Sequence, residues 1–520
     1  MLALLMSAVT SAAAQAAPDI IIRGGIVVDG TGTRARRAEI AIRDGVITAV
    51  APRVAAGART RVVNATGLVV APGFIDPHAH ISTIAQQPDA ENFLRQGITT
   101  IFNSLHSLDQ PYPLGAFLDT LHVAPNTLWT AGHTWARSRV MGRENRAPTP
   151  TELDSMSALV SRAVDDGAFG LGTGLEYIPA RYAETAELVA LARAAKRPGS
   201  RYVTHLRDEG ATLEAAVAEA IDVGRLSGQP VHISHIKSTG AGNWGKSAPV
   251  LRMIDAANAA GGHVSVDVYP YLAYSTYSDV LFPGWVLADG PDSIRARLSD
   301  AVQVQRARAE MRPIFVAQTG GTAASVRFRT IPAAPDFTGR SLADYLAAQH
   351  TAESLDAIVD ALITLQRDGG FTATVEAMSG RDVDAFLRHP ASMVSSDGDL
   401  VTPGVGFPHP RSYGAFPRVI AHYVGDRHVL SFESAIAKMT GVPARMLGLR
   451  DRGVLRVGNA ADIVVFDRAR FADKATFTDP HHYAEGVVHL YVNGVAVIRD
   501  GALTGTRPGL TIRRSDAAGR

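Results

Sequence analysis

The chain has 520 residues, of which 46% are hydrophobic and 19% are charged, an ordinary composition for a globular protein with a large core. Fifty-one basic residues against 50 acidic ones leave a formal charge of +1, so the charge balance does not indicate a nucleic-acid or anionic-membrane partner. The sequence has no cysteine, which excludes disulfides, cysteine-ligated zinc, iron–sulfur clusters and a thiol nucleophile.

The first segment, residues 1–17 (MLALLMSAVTSAAAQAA), joins a short apolar run to small residues and an Ala14-Gln15-Ala16 site. This pattern is typical of a signal peptide, although no Lys or Arg precedes the apolar run. We therefore expect export, with the periplasm as the destination; an N-terminal helix in a cytoplasmic protein is the alternative. No other apolar stretch approaches the roughly 20 residues that a membrane span needs.

Short β-strands are predicted at both ends of the remaining chain. Residues 18–70 alternate β-branched runs with glycine turns, as in DIIIRGGIVVDG and AEIAIRDGVITAVAP, and a similar texture returns in residues 452–510, in NAADIVVFD and VVHLYVNGVAVIRDG. Such runs favour antiparallel strands. We expect the two segments to pair into one small β-sandwich domain.

Between these segments, residues 71–451 alternate short apolar runs with helical stretches such as ETAELVALARAAK. The pattern predicts parallel strands joined by crossover helices. Eight candidate strands favour an α/β fold, a (β/α)8 TIM-like barrel whose reactive groups gather at the C-terminal ends of its strands. An inserted subdomain is expected at about 276–390, because this interval is too long for one crossover. The eight strands are predicted to end near His80, His106, His133, Glu176, His205, His235, Tyr269 and Asp397.

Ligand-type side chains cluster at four of these strand ends. GFIDPHAH places His78 and His80 two residues apart, so both imidazoles face the same side of a strand and can reach one metal ion. THLRDEG, HISHIK and SSDG place His205, His235 and Asp397 at the ends of the fifth, sixth and eighth strands. The constellation is more specific than any of its parts.

With these motifs the sequence resembles the amidohydrolase superfamily, and within it the N-acyl-D-amino-acid deacylase (D-aminoacylase) family. The resemblance continues through GAFGLGTGLEYIP, DVYPYLAYST, HPRSYGAFPRV and RGVLRVGNAADIVVFD and covers nearly the whole chain after residue 17. It implies one or two zinc ions, with His78 and His80 at one position and His205 and His235 at the other. Asp397 is implied as the general acid/base and a possible ligand.

The resemblance also implies a small-molecule substrate with a free carboxylate. Arg411 corresponds to the residue that pairs with this carboxylate, with Lys237, Tyr269 and Ser275 around the same group. A guanidinium offers the planar fork that a carboxylate accepts. The implied reaction is hydrolysis of the amide bond of an N-acyl-D-amino acid by zinc-activated water, which releases a carboxylate and a D-amino acid.

The metal site departs from the family pattern in one respect. The family's bridging cysteine, at the end of the second strand, is replaced by His106 in GITTIFNSLHS. A neutral imidazole has one free lone pair and cannot bridge two metals, but His106, His205 and His235 could hold one zinc ion. The fourth strand lacks the lysine that other amidohydrolases carboxylate; Glu176 there could bridge two ions or hydrogen-bond a group behind them.

Two other functions stay open on the sequence. The first is another amide hydrolase of the superfamily, such as an amidase or a dipeptidase, although the missing fourth-strand lysine argues against the hydantoinase-like members. The second is a non-catalytic scaffold that has lost its metal, against which the retained histidines and Asp397 argue. The acyl group, the side chain, the handedness of the substrate and the oligomeric state are not fixed by the sequence.

Overall fold

A computed structural model describes residues 17–104 and 108–518. Nearly all of the predicted signal segment, and His106, lie outside the described residues. Among the residues described, no helix is both long and apolar enough to cross a membrane.

The first described segment, from residue 17, consists of short strands rich in β-branched residues. Four of them form a sheet in the order β5 (Val46–Ala51), β4 (Glu39–Arg43), β1 (Ile20–Arg23) and β6 (Arg61–Asn64), in which β1 runs antiparallel to β4 and parallel to β6. The β-branched side chains suit a pleated surface that is buried on one face. These strands are β1 (Ile20–Arg23), β2 (Ile26–Val27), β3 (Arg36–Arg37), β4 (Glu39–Arg43), β5 (Val46–Ala51), β6 (Arg61–Asn64) and β7 (Val69–Pro72).

Parallel strands and helices then alternate, as the sequence pattern predicts. The first elements are β8 (Phe74–His80), α1 (Glu91–Leu94), β9 (Ile98–Asn103), α2 (Leu114–Asp119), β10 (Asn126–Trp129), β11 (Ala131–Gly132), α3 (His133–Met141) and α4 (Pro150–Asp165). They continue with β12 (Gly170–Gly174), α5 (Thr185–Ala194), β13 (Arg201–His205), α6 (Leu213–Ser227), β14 (Val231–Ile233), α7 (Ser247–Ala259) and β15 (Val264–Val268).

Helix α4 illustrates how the local sequence fixes these elements. It begins with a capping box between Thr149 and Glu152, and Pro150 stands in its first turn, where a missing N–H costs nothing. Its buried residues include Met156 and Val160, one turn apart, so one face packs inward.

An insertion separates β15 from the last barrel strand. Its strands form an antiparallel sheet in which β18 (Thr372–Glu376) lies between β16 (Ala273–Tyr277) and β17 (Val326–Thr330). The elements are β16 (Ala273–Tyr277), α8 (Pro291–Arg297), α9 (Ala301–Thr319), β17 (Val326–Thr330), α10 (Leu342–Ala348), α11 (Leu355–Arg367) and β18 (Thr372–Glu376). Then follow α12 (Gly380–Arg388), β19 (Ser392–Val394) and β20 (Gly398–Asp399), which return to the barrel.

The parallel strands close into a ring. One sheet has the order β10-β9-β8-β20 and the other β11-β12-β13-β14-β15-β19. Only one residue separates β10 from β11, and β19 and β20 are two pieces of one segment, so eight strand positions close on themselves. The predicted (β/α)8 barrel is confirmed. The third strand ends at Gly132, and His133, expected at that end, starts α3.

The C-terminal part returns to the first sheets. Its elements are α13 (Arg411–Arg418), a π-helical turn (Val419–Asp426), α14 (Phe432–Met439), α15 (Gly441–Leu447), β21 (Ile463–Phe466), β22 (Val487–Val492), β23 (Val495–Arg499), β24 (Ala502–Leu503) and α16 (Arg514–Ala518). A seven-stranded sheet of order β24-β23-β22-β21-β7-β2-β3 contains strands from the early segment (β2, β3 and β7) and from the late segment (β21 to β24) of the chain. Ile22 and Ile40 of the first sheet share a core with Val27 and Ile463 of this one, which makes a β sandwich.

Candidate metal centre and active site

The predicted ligands meet at the C-terminal mouth of the barrel. His78 and His80 lie at the end of β8, His205 ends β13, and His235 follows β14 by two residues. Asp397 lies in the link between β19 and β20. In a barrel of parallel strands these ends share one rim, which is why residues more than 300 positions apart become neighbours.

His235 and Asp397 have left-handed backbone conformations, which residues other than glycine rarely adopt. The φ angle is +34° at His235 and +47° at Asp397. The amide of Asp397 donates to the carbonyl of His78 at 2.9 Å, and the amide of His235 donates to the Asp267 carboxylate at 2.8 Å. Such strain persists where surrounding bonds impose it, and it is common at functional sites.

The first ligand group surrounds Asp397. Its Oδ1 lies 3.0 Å from Nε2 of His80 and 3.4 Å from Nε2 of His78. His78, His235 and Asp397 are buried, and each offers a ligand atom within 4.8 Å of the other two. On the opposite oxygen, Oδ2, the guanidinium of Arg411 forms an ion pair at 2.6 Å.

The second group consists of His205, His235 and Glu209. Nδ1 of His205 lies 2.9 Å from Nε2 of His235. The outer nitrogens face carboxylates: Nε2 of His205 is 3.0 Å from Glu176, and Nδ1 of His235 is 3.1 Å from Glu209. In the tautomer in which both outer nitrogens donate to these carboxylates, two lone pairs face each other across 2.9 Å, an arrangement that a metal cation stabilises.

The surroundings of His205, His235 and Asp397 favour the protonation states in which these side chains bind a metal ion. Burial lowers the pKa of His205 to about 4, and burial together with Lys237 holds the pKa of His235 well below its usual range. Both imidazoles are therefore neutral near pH 7. Burial alone would raise the pKa of Asp397, but the charge of Arg411 and the hydrogen bonds from His78 and His80 hold it well below its usual range. Neutral imidazoles with one carboxylate form a donor set that suits zinc.

Glu209 is a site residue that the sequence analysis did not single out. Nζ of Lys237 donates to its two oxygens at 2.6 and 2.7 Å and lies 2.8 Å from Nδ1 of His235. Lys237, predicted to bind a substrate carboxylate, is 2% exposed and paired with Glu209. The sequence feature that could have identified Glu209 is its place in the THLRDEG motif, four residues after His205.

Glu176, for which a metal bridge and a hydrogen bond were both open, contacts the outer nitrogen of His205. Its Oε2 is 3.0 Å from Nε2, whereas it is Nδ1 of His205 that faces His235. Nε2 of Gln318 lies 3.4 Å from the other carboxylate oxygen. Burial raises the pKa of Glu176 to about 7. In this arrangement Glu176 orients His205 from behind.

A cavity of about 510 Å³ opens above both ligand groups. Arg411 lines it, and its guanidinium stacks 4.8 Å from the ring centre of Tyr269. Ser275, on β16 of the insertion, also lines the cavity and accepts a hydrogen bond from Arg329 of β17. The structure thus brings Arg411, Tyr269, Lys237 and Ser275 to one cavity and adds Arg329, which the sequence analysis missed.

The sequence matches the amidohydrolase family over residues 61–498. It is 35% identical to a D-aminoacylase of Alcaligenes xylosoxydans xylosoxydans, over 96% of this chain and 98% of that protein. The fold is similar to that of an N-acyl-D-glutamate deacylase from Bordetella bronchiseptica complexed with zinc and a phosphonate inhibitor, with a TM-score of 0.80, 32% identity, and coverage of 96% and 100% of the two chains.

The fold is also similar to that of a D-aminoacylase with a binuclear metal centre, with a TM-score of 0.79 and 32% identity over 95% of this chain and 99% of that one. In that enzyme one metal activates and a second metal attenuates.

Proposed function

The chain belongs to the amidohydrolase family, and we propose that it is a zinc-dependent deacylase that hydrolyses the amide bond of N-acyl-D-amino acids. One observation carries the proposal: Asp397 lies between the imidazoles of His78 and His80 on one oxygen and Arg411 on the other. This places a proton-transferring carboxylate between a metal site and a cation that suits a carboxylate. The similar D-aminoacylase and N-acyl-D-glutamate deacylase support the substrate class.

The residues present fit zinc. His205 and His235 offer facing ring nitrogens, and His78 with Asp397 offers a second set that shares His235. The chain can therefore hold one ion, or two ions close together. When bound, zinc lowers the pKa of a coordinated water toward neutrality and polarises the acyl carbonyl.

Asp397 transfers the proton in this proposal. Its low pKa keeps it ionised near pH 7, so it can accept a proton from the attacking water. The same low pKa makes its protonated form a ready donor to the departing amine nitrogen. One carboxylate thus serves both halves of the reaction, and the histidines on Oδ1 and Arg411 on Oδ2 hold its orientation.

Arg411 fixes the free carboxylate of the substrate. It is buried, and its Nε has no hydrogen-bond partner in the part of the chain that the structure describes, so it can still donate. The ring of Tyr269 beneath the guanidinium limits its movement. A substrate held by its carboxylate presents its amide to the site in one orientation, which is the basis of rate enhancement by positioning.

A panel of N-acetyl amino acids in both configurations, assayed with zinc content measured on the same preparation, tests the proposal. We expect turnover of D compounds and little or none of their L enantiomers. Turnover of L compounds alone would refute the D assignment, and hydrolysis of dipeptides in preference to every N-acetyl amino acid would favour a dipeptidase.

We further propose that the protein is exported, with residues 1–17 as the signal peptide. The apolar run and the Ala14-Gln15-Ala16 site support this. N-terminal sequencing of protein from the periplasmic fraction would give a mature start close to residue 17 or 18. Full-length protein confined to the cytoplasm would contradict export.

A further inference from the structure

We propose that Arg329, contributed by the insertion, is a second residue that binds the α-carboxylate of the substrate and sets the preference for carboxylate-bearing amides. This inference rests on the proposed deacylase function. Arg329 lies on β17, far in the sequence from every barrel motif.

Arg329 lies where a substrate carboxylate would meet the insertion. Its guanidinium donates to Oγ of Ser275, the side chain predicted to face the same carboxylate, and forms an ion pair with Asp399 at 2.6 Å. All three residues line the cavity above the ligand groups. The insertion therefore supplies a cation and a hydroxyl to one wall of the cavity.

Arg329 is more accessible than Arg411 and Lys237, two other cations that line the cavity. Its side chain is 20% exposed, against 5% for Arg411 and 2% for Lys237. Lys237 is held by Glu209, and Arg411 by Asp397. An incoming carboxylate therefore reaches Arg329 with less loss of buried contacts than either of the others.

The guanidinium of Arg329 also has donor capacity left. A guanidinium carries five N–H donors. Nη1 and Nη2 each bond one partner, and Nε is buried with no hydrogen-bond partner among residues 17–104 and 108–518. Buried donors in native structures are nearly always satisfied, so an unpaired Nε beside a cavity points to a bound acceptor.

The α-carboxylate is the group that fits this wall. It is the only charge that every N-acyl amino acid carries, and a guanidinium binds it through two donors. Other parts of the cavity are lined by Tyr177, Ile178, Tyr277 and Leu400, which suit the side chain or the acyl group. Asp399 already pairs with Arg329, and its partly exposed carboxylate can turn to water when the substrate binds.

The test compares Arg329→Gln with the wild type on N-acetyl-D-methionine and on N-acetyl-D-methioninamide, with acetate release as the readout. The amide keeps the scissile bond and lacks the negative charge. We expect the substitution to raise KM for the acid by about 10- to 100-fold, with a smaller change in kcat, and to leave the amide's KM nearly unchanged. Arg329→Lys should recover part of the loss, because it keeps the charge.

Arg327→Gln is the matched control. Arg327 lies two residues earlier on β17, donates to the Gly339 carbonyl at 2.7 Å and does not line the cavity. The Arg327→Gln substitution should change neither the KM for the acid nor the KM for the amide. Equal losses on acid and amide in the Arg329 variant, or an unchanged KM for the acid, would overturn the inference.

A second readout separates this inference from the proposed function. If the wild type hydrolyses neither compound, the deacylase proposal fails, and calorimetric titration of the same two compounds still tests Arg329. The acid should then bind the wild type more tightly than the amide does, and Arg329→Gln should reduce that difference by about 10-fold or more, with Arg411 accounting for what is left. A difference that keeps its wild-type size after the substitution would contradict the role of Arg329.

Discussion

Glu209 and Lys237 form a buried ion pair directly behind His235. The ammonium group lies 2.6 and 2.7 Å from the two carboxylate oxygens, and one of these oxygens is 3.1 Å from Nδ1 of His235. Carboxylates in this position fix the tautomer and the ring orientation of metal-binding histidines. The pair therefore links a residue expected to touch the substrate to the orientation of a metal ligand.

Glu209→Gln should weaken zinc binding by about 10- to 100-fold, because His235 loses its charged acceptor. It should also destabilise the fold, because it leaves the charge of Lys237 buried and unpaired at a cost of about 3–5 kcal/mol. Zinc titration and thermal unfolding measure the two effects.

The double variant Glu209→Gln, Lys237→Met separates these effects. It removes the unpaired charge, so thermal stability should recover while zinc affinity stays low. Glu214→Gln is the control, since Glu214 forms a partly exposed ion pair with Lys246 at 3.0 Å, away from the ligand groups. Full zinc affinity in the double variant would show that Glu209 has no positioning role.

Asp397→Asn should reduce kcat by about 100- to 10,000-fold, the range expected for loss of a general acid/base. Zinc should remain bound, because the ligand group built around His205 and His235 does not contain Asp397. Acetate release and zinc per chain, measured together, check this. Turnover close to that of the wild type would remove Asp397 from its role.

Arg411→Gln should shift the acidic limb of the kcat/KM profile to higher pH. Burial favours the neutral form of Asp397 and Arg411 favours the charged form, so removing the guanidinium raises the pKa of the carboxyl. The base form is then lost at a higher pH as the solution is acidified. Arg411→Lys keeps the charge and should shift the limb less, while the loss of the planar fork still raises KM. An unmoved limb in the Gln variant would be inconsistent with this coupling.

Glu176→Gln should leave the number of zinc ions per chain unchanged and lower zinc affinity moderately. The reason is that Oε2 contacts Nε2 of His205, behind the nitrogen that faces His235. Metal analysis at saturating zinc decides between this and a bridging role. Loss of one of two ions in the variant would instead identify Glu176 as a bridge.

The barrel and its principal ligand residues could be predicted from the sequence because strand ends share one rim. His78, His205, His235 and Asp397 each end or follow a short apolar run, and the (β/α)8 topology alone brings them together. Their positions on one rim can therefore be predicted without knowing how the loops fold.

The remaining contacts depend on loops and on the insertion. Glu209 lies in the loop after β13, and its pairing with Lys237 of the next strand's loop follows from tertiary packing. Arg329 is 54 residues from Ser275, and only the antiparallel sheet of the insertion brings the two together. No local period or spacing in the sequence carries that information.

Metal removal and restoration test whether the protein is a zinc-dependent D-specific deacylase. N-acetyl-D-methionine and its L enantiomer would be assayed with enzyme stripped by a chelator and then titrated with zinc. We predict that the stripped enzyme is inactive, that activity toward the D compound returns in proportion to bound zinc, and that the L compound stays a poor substrate throughout. Hydrolysis of the D compound by zinc-free enzyme, or zinc-restored activity toward the L compound alone, would contradict a zinc-dependent deacylase of N-acyl-D-amino acids.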